Sequence, residues 1–535
     1  MLKKIEISSI VIFFIFVFYC AFAIGTSWDL NMEIDRGNQR LKYIFFLSDF
    51  ESYVKASRGL GDEFYPAFYT TLVSFIAKNF PKKYEFESWQ IINSIFAILT
   101  IFGISKISSI LFNKQVGKIV FVICFFNPIF FGHMSMNVKD IPIAFANVWA
   151  TYVFLRYLIN QNLSHKCTRY IIFAGLAIGV GTGMRLPFVT TLIPIFLFSI
   201  IDIFYFKKIV NNKFSFKKFI IHIFIVLLIA YIITISCWPH VHKNIFIEPF
   251  KIAMDINKIQ YFGLPWVMFN GDIFDTNYVP KLYLIVNFFY KSPEYIILSY
   301  IIFIYLLIFK KKFLISKFEF FYGKLFLIVF ILLFPTLVLF FVPYRIYDGL
   351  RLFLYLIPYF SIIPGIAIYY LISNLKLKSS KTVSAIMAIA FFYYLFIFAT
   401  LTPYHYIYLN YFVGNYSNSH TKFENDYWAI SIKELTKKIS KETDLISKNK
   451  KIKIAFCALP NGLVEKELNN VNLKYEVKDL SSNDFNYIIM TNRIVGEKSN
   501  NTKELVKSCY VKYKGKDIVS VKRNGLILST IRKIN

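Results

Sequence analysis

Apolar residues in this chain gather in long blocks instead of alternating with polar ones. Between Ser9 and Leu401 the blocks run to about 17–25 residues and are separated by short polar stretches. A helix needs ~20 apolar residues to cross a hydrocarbon core, so the pattern predicts a polytopic α-helical membrane protein. Spans are expected near Ser9 to Gly25, Trp89 to Leu111, Val116 to Phe131, Ile141 to Leu158, Tyr170 to Thr182, Pro187 to Tyr205, Phe219 to Ser236, Pro293 to Phe309, Leu325 to Val342, Leu352 to Ile372 and Val383 to Leu401. That is about eleven transmembrane helices. The run from Phe64 to Phe80 is interrupted and flanked by Asp62, Glu63, Lys78 and Lys82. It reads as an interfacial or re-entrant helix in preference to a further span.

After Thr402 the pattern becomes polar and Lys-rich. A helix-like run, Ile430 to Ile446, is followed by strand-like runs at Ile452 to Cys457, Tyr487 to Thr491 and Ile518 to Ile531. Alternation in Val511-Lys512-Tyr513-Lys514 and Val519-Ser520-Val521-Lys522 also favours strands. The expected organisation is a transmembrane domain over 1–402 and a small C-terminal α/β domain over 403–535.

Composition agrees: 56% of the 535 residues are hydrophobic and 19% aromatic. The net charge of +29 does not indicate nucleic acid, because Lys and Arg sit in clusters between apolar blocks. With the amino terminus inside, the loops holding Lys114, Lys166 with Arg169, Lys207 to Lys218, Lys310 to Lys324 and Lys376 to Lys381 all fall on the cytoplasmic side. The C-terminal domain then lies outside. Lys3, Lys4 and the run from Ile10 to Ile24, ending near Ala21-Phe22-Ala23, resemble a secretion signal; the many later spans favour an uncleaved anchor. Six cysteines show no C-x-x-C spacing, and only Cys457 and Cys509 are placed to pair.

The chemistry is expected on the side opposite the basic loops, because ionisable residues beside spans are costly unless solvated or paired. The first outer loop carries Asp29, Glu33 and Asp35, either as a solvated helix start or as the source of a general base. The second carries His133, Lys139 and Asp140 ahead of Pro142. Asp140 there either caps a helix or helps to bind a metal or an acceptor, while Lys139 or His133 meets a phosphate. Gly179, Gly181 and Gly183 lack the lysine of a phosphate loop and read as close helix packing or a tight reversal. Arg185 beyond them suits a phosphate contact or an ion pair with Asp29 or Asp140. The segment Trp238 to Pro293, with His240, Leu264-Pro265-Trp266 and Gly271-Asp272, is long enough to cover a substrate; its aromatics suit an interfacial belt. Tyr344, Arg345, Asp348 and Arg351 place two arginines and an aspartate at an outer helix end, where either an anionic headgroup or a structural Arg-Asp network would account for them.

At these residues the sequence resembles the polytopic GT-C glycosyltransferases that use polyprenyl-phosphate sugars, and most of all the bacterial relatives of the protein mannosyltransferase family (glycosyltransferase family 39). The resemblance rests on Asp29, Asn137-Val138-Lys139-Asp140-Ile141-Pro142, Tyr347-Asp348-Gly349-Leu350-Arg351, Thr402-Pro403-Tyr404-His405-Tyr406 and Phe423-Glu424-Asn425-Asp426-Tyr427-Trp428. It implies a GT-C-like fold in a bacterial plasma membrane and an enzyme that takes hexosyl or pentosyl groups from a polyprenyl-phosphate-linked sugar on the non-cytoplasmic face, with membrane lipid as a partner. Asp29 would be the base, Asp140 a supporting or metal-linked carboxylate, and Arg345 and Arg351 lipid-phosphate contacts. The paired Asp-Glu of many members is broken here by Leu30, although Asp62-Glu63 is intact, so Asp29, Glu33, Asp35 and Asp62 all stand as candidate bases. The acceptor is not indicated, and use of a divalent metal stays open. The alternatives are a secondary transporter, a lipid flippase or a non-catalytic envelope protein. A transporter should show ionisable residues at mid-membrane and an internal repeat, neither of which stands out.

Overall fold

The computed structural model describes residues 2–57, 62–255, 265–442, 451–469, 471, 473–495 and 507–534. Leu264 and residues 443–446 of the helix-like run fall outside these. The chain begins with α1 (Leu2–Ala23), then continues with three shorter helices: α2 (Leu30–Ile44), α3 (Phe50–Ser57) and α4 (Phe68–Ala77). Ten residues make α4 about 15 Å long, half the thickness of a hydrocarbon core. It packs on α2, where Gly37 leaves room for the main chain at Thr70.

Seven helices among the described residues are long and apolar enough to cross a membrane: Lys82–Leu111, Asp140–Asn160, Leu186–Phe206, Phe216–Ser236, Phe321–Phe341, Leu356–Ser373 and Lys378–Thr400. An eighth arises if Tyr283–Tyr290 and Glu294–Phe309, bent by 115°, count as one span. Length and hydropathy of the described helices thus single out fewer spans than the expected eleven, for local reasons. The run read as Val116 to Phe131 is two helices, Lys114–Phe125 and Pro128–His133. Asn127 accepts the Phe130 N–H at 3.0 Å and Pro128 opens the next turn, a helix-start signal inside an unbroken apolar run. The helix Ser164–Thr182 is long enough, but His165, Lys166 and Arg169 occupy its first turns.

The glycines expected to mediate packing or a reversal do both. A Cβ on Gly179 would stand 2.6 Å from the Cβ of Ile233, and one on Gly175 at the same distance from that of Ile229. Ser164–Thr182 and Phe216–Ser236 thus meet along a seam without side chains, and at its end Gly181 lies against the Phe188 ring as the chain turns.

The C-terminal part forms a five-stranded mixed sheet. Its core strands, Ile452–Cys457 and Tyr487–Thr491, run parallel, and the hairpin Gly515–Arg523 with Leu526–Ile534 adds antiparallel. Val511-Lys512, expected in a strand, closes a short helical turn, Cys509–Lys512. Cys509 is disulfide-bonded to Cys457. Residues 403–431 connect this sheet to the helices: Tyr406 lies directly over Gly132, and the Gly25 N–H donates to the Ile430 carbonyl at 3.1 Å.

Candidate active site

The loops after α1, before Asp140–Asn160, after Ser164–Thr182 and after Phe321–Phe341 meet in space, tied together through Asp29, Asp140, Arg185 and Arg351. There the charged side chains converge. Asp29 leads into α2 and is placed by ties from the two residues before it: the Ser27 hydroxyl donates to the Met136 carbonyl at 2.9 Å, and the Trp28 N–H to that of Trp428 at 3.2 Å. The second loop is pinned by Asn93, whose amide donates to the carbonyls of Met134 (2.9 Å) and Asn137 (3.0 Å).

Arg351 is the hub. Its Nη2 lies 2.7 Å from Asp29 Oδ2, its Nε 3.3 Å from Asp140 Oδ2 and its Nη1 2.9 Å from Asp348 Oδ2. The guanidinium lies 4.2 Å from the centre of the Trp428 ring, a cation–π contact that fixes its plane. Asp348 and Gly349 both have positive φ (56° and 64°), and this reversal brings Asp348 back toward Arg351. A side chain at Gly349 would strike Lys291, whose Cε lies 2.9 Å from the Cβ position.

Around the hub, Lys139 Nζ lies 3.0 Å from Glu33 and 3.4 Å from Asp29, and Arg185 Nη1 3.1 Å from Asp140 Oδ1. The network continues outward from Glu33 to Arg36 at 2.6 Å and from Arg36 to Asp62 at 3.6 Å. Asp62 also binds Arg40 and the Tyr53 hydroxyl. Burial alone would raise the Asp29 carboxyl, but Lys139, Arg351 and Arg185 overcome it and hold the group well below the usual carboxylate range. Glu33 is lowered in the same way: burial opposes, Lys139 and Arg36 prevail. Most of the cluster is closed off; the openings are at Asp29, 14% exposed, and Arg185, 22% exposed.

Several expectations need correction. Asp140 is not a cap: the Asn137 side chain accepts the N–H groups of Lys139 (3.2 Å) and Asp140 (2.9 Å), which frees the Asp140 carboxylate for the two arginines. Arg185 takes the ion pair with Asp140. Asp35 is exposed on another face of α2, raised first by burial and then by nearby Glu85. His133 is fully buried, with Nε2 2.9 Å from the Tyr427 hydroxyl and Nδ1 3.3 Å from Asn137, so it braces the site from beneath and offers no ring nitrogen to a phosphate. His240 packs edge-on against Tyr53 and Phe50 near Asp62. The Tyr344 hydroxyl donates to the Pro335 carbonyl at 3.0 Å, and Arg345 Nε to Asn277 Oδ1 at 3.1 Å. Asp62 is buried and pairs with two arginines and a tyrosine. Among the described residues no group of three His, Cys, Asp or Glu side chains could hold a metal ion.

Sequence reasoning missed Trp28, Tyr65 and Arg493. Tyr65 lies under the cations of Arg36 and Lys139, 5.2 and 5.6 Å from its centre, and Arg493 reaches in from the C-terminal sheet to Asp348 at 3.0 Å. The Trp28 ring stacks with Arg493 at 4.9 Å.

Residues 70–238 match the family model of dolichyl-phosphate-mannose-protein mannosyltransferases. Among solved structures, that of ArnT from Cupriavidus metallidurans bound to undecaprenyl phosphate is similar, with a TM-score of 0.51 and 9% identity over 99% of this chain and 98% of that one. The same protein in the apo state gives 0.47 at 10% identity, over 98% of each chain. The apo oligosaccharyltransferase of Archaeoglobus fulgidus gives 0.40 at 11%, over 80% of this chain and 62% of that one. A comparison with curated proteins gave no match. The resemblance read from the sequence thus holds at the level of architecture: the chain is a multi-pass membrane protein of the GT-C fold.

Proposed function

We propose that this GT-C chain is a membrane glycosyltransferase that moves a sugar from a polyprenyl-phosphate donor to an acceptor at the non-cytoplasmic face, with Asp29 as general base. The observation that carries this reading is Arg351 held among Asp29, Asp140 and Asp348, on loops that the positive-inside rule would put outside. In the linked network, six basic side chains (Arg36, Arg40, Lys139, Arg185, Arg351 and Arg493) face five acidic ones (Asp29, Glu33, Asp62, Asp140 and Asp348). The mannosyltransferase family model and the undecaprenyl phosphate bound in the ArnT structure support the same donor class.

In the described state Asp29 is too weak a base, because its cations hold it ionised. A donor phosphate arriving at the interface competes for Arg351, Arg185 and Lys139. As they turn to it, Asp29 loses their field and its basicity rises. The acceptor hydroxyl gives its proton to Asp29 while its oxygen bonds to the anomeric carbon. The bond from that carbon to the phosphate oxygen breaks, and Arg351, Arg185 and Lys139 stabilise the polyprenyl phosphate that leaves. Asp140 keeps Arg351 and Arg185 oriented throughout. The Cys457–Cys509 disulfide supports placing the C-terminal sheet in the oxidising outer compartment, since such bonds are rare in a reducing cytosol.

The test is to incubate the purified protein in vesicles with a panel of polyprenyl-phosphate-linked sugars and candidate acceptors. Release of polyprenyl phosphate with sugar appearing on an acceptor is expected. Accumulation of a substrate inside the vesicles with no sugar transferred would replace this reading with transport.

A further inference from the structure

The C-terminal sheet supplies a residue of the charged site. Arg493 leaves the sheet just beyond the strand Tyr487–Thr491 and is 7% exposed. Its Nη2 lies 3.0 Å from Asp348 Oδ1, its Nη1 donates to the Tyr427 carbonyl, and its guanidinium stacks on Trp28. Asp348 is therefore divided between two arginines, Oδ1 to Arg493 and Oδ2 to Arg351.

The segment around Arg493 is tied at each step, by the Asn492 side chain and by the main chain of Arg493 and Ile494. Asn492 accepts the Asn425 N–H at 3.0 Å and donates to the Phe423 carbonyl at 2.9 Å. The Ile494 N–H donates to Glu424 Oε1 at 2.9 Å. The Arg493 carbonyl accepts the N–H of Cys509 at 3.2 Å, and Cys509 is bonded to Cys457 at the end of a core strand.

We infer that Arg493 is a positioning residue: by holding one oxygen of Asp348 it stops that carboxylate from drawing Arg351 away from Asp29 and Asp140. The role in turnover rests on the glycosyltransferase reading; the effect on the ligand-free site does not. A buried arginine shared among three carboxylates distributes itself by competition, so removing one competing cation from Asp348 pulls Arg351 toward it. Asp29 is faced by Lys139, Arg351 and Arg185, with Glu33 on the following turn as a like charge. Weakening the Arg351 contact lets Asp29 take up a proton at higher pH. The sheet, disulfide included, thereby sets the charge state of a group in another domain.

The experiment uses full-length Arg493→Gln and Arg493→Lys. In ligand-free protein, esterification by a diazo reagent, which attacks protonated carboxyls, is followed at Asp29 against pH by peptide mass spectrometry. The midpoint is expected to move to higher pH in R493Q and less far in R493K. In turnover, kcat is expected to fall roughly ten- to a hundredfold in R493Q, with donor KM little changed and the acidic limb of the pH profile displaced upward. R493K should recover much of the loss. Cys457→Ser with Cys509→Ser should lower kcat similarly, and adding R493Q should cost little more. An unmoved Asp29 midpoint in R493Q and R493K overturns the inference, as does a lower kcat with an unshifted acidic limb. A shifted midpoint in a protein that transfers no sugar upholds the positioning role and sinks the glycosyltransferase reading alone.

Discussion

Arg351 shows at the scale of one residue why arginine stands there. Three separate N–H edges of one planar cation meet three carboxylates, an arrangement a lysine point charge cannot reproduce. Arg351→Lys should leave buried carboxylates without a partner and destabilise the fold by about 3–5 kcal/mol, read as thermal unfolding in detergent; an unchanged unfolding temperature would show that the pairs are not coupled. Acidity acts on the site in two directions. Asp29 and Glu33 are lowered, so their stabilisation is present above the unfolded value of about 4 and is lost as pH falls through their folded values. Glu424 is pushed up to about 7, by burial first and then by Asp348 against the pull of Arg493. Its contribution is complete below about 4.3 and is lost as pH rises through about 7. Glu424→Gln should therefore flatten the decline in unfolding temperature between pH 5 and 7.5, and an unaltered slope would reject that assignment. Asp29, Asp140 and Arg351 were legible in the sequence because a charge beside a span demands a reason. Arg493 was not, since one more cation in a Lys-rich C-terminal segment carries no mark. Tyr344 and Arg345 stand in the same irregular loop as Asp348, and their hydrogen bonds to Pro335 and Asn277 were not legible because adjacency there says nothing about side-chain direction.

Among whole elements, hydropathy located the membrane helices better than it located their ends. The Asn127-Pro128 break was visible as a helix-start signal but lay inside an apolar run, and run length outweighed it. The glycine seam was readable as packing or reversal; which glycine did which depended on Ile229, Ile233 and Phe188, all remote in sequence. Gly179→Ala should destabilise by about 1–3 kcal/mol, since the neighbouring helix has to move. Ile233→Ala in the same chain should recover part of that loss in the same unfolding assay; purely additive losses would place the contact elsewhere.

For the molecule as a whole, the motif-bearing loops that the sequence grouped on one side meet in one ion-pair network. A reporter enzyme that folds only in an oxidising compartment should be active when fused after Asn535 and inactive when fused between Lys310 and Lys324; the reverse would invert the membrane orientation. The strands of the C-terminal sheet were legible from alternation, but its contribution to the site was not, because long-range pairing leaves no local signature. The central claim is that distant loops build one site in which Asp29 takes the acceptor proton. Its most direct test is sugar transfer from a polyprenyl-phosphate donor by Asp29→Asn, with unfolding temperature measured on the same sample. The account predicts a folded protein with transfer abolished, whereas transfer at the unsubstituted rate would contradict it.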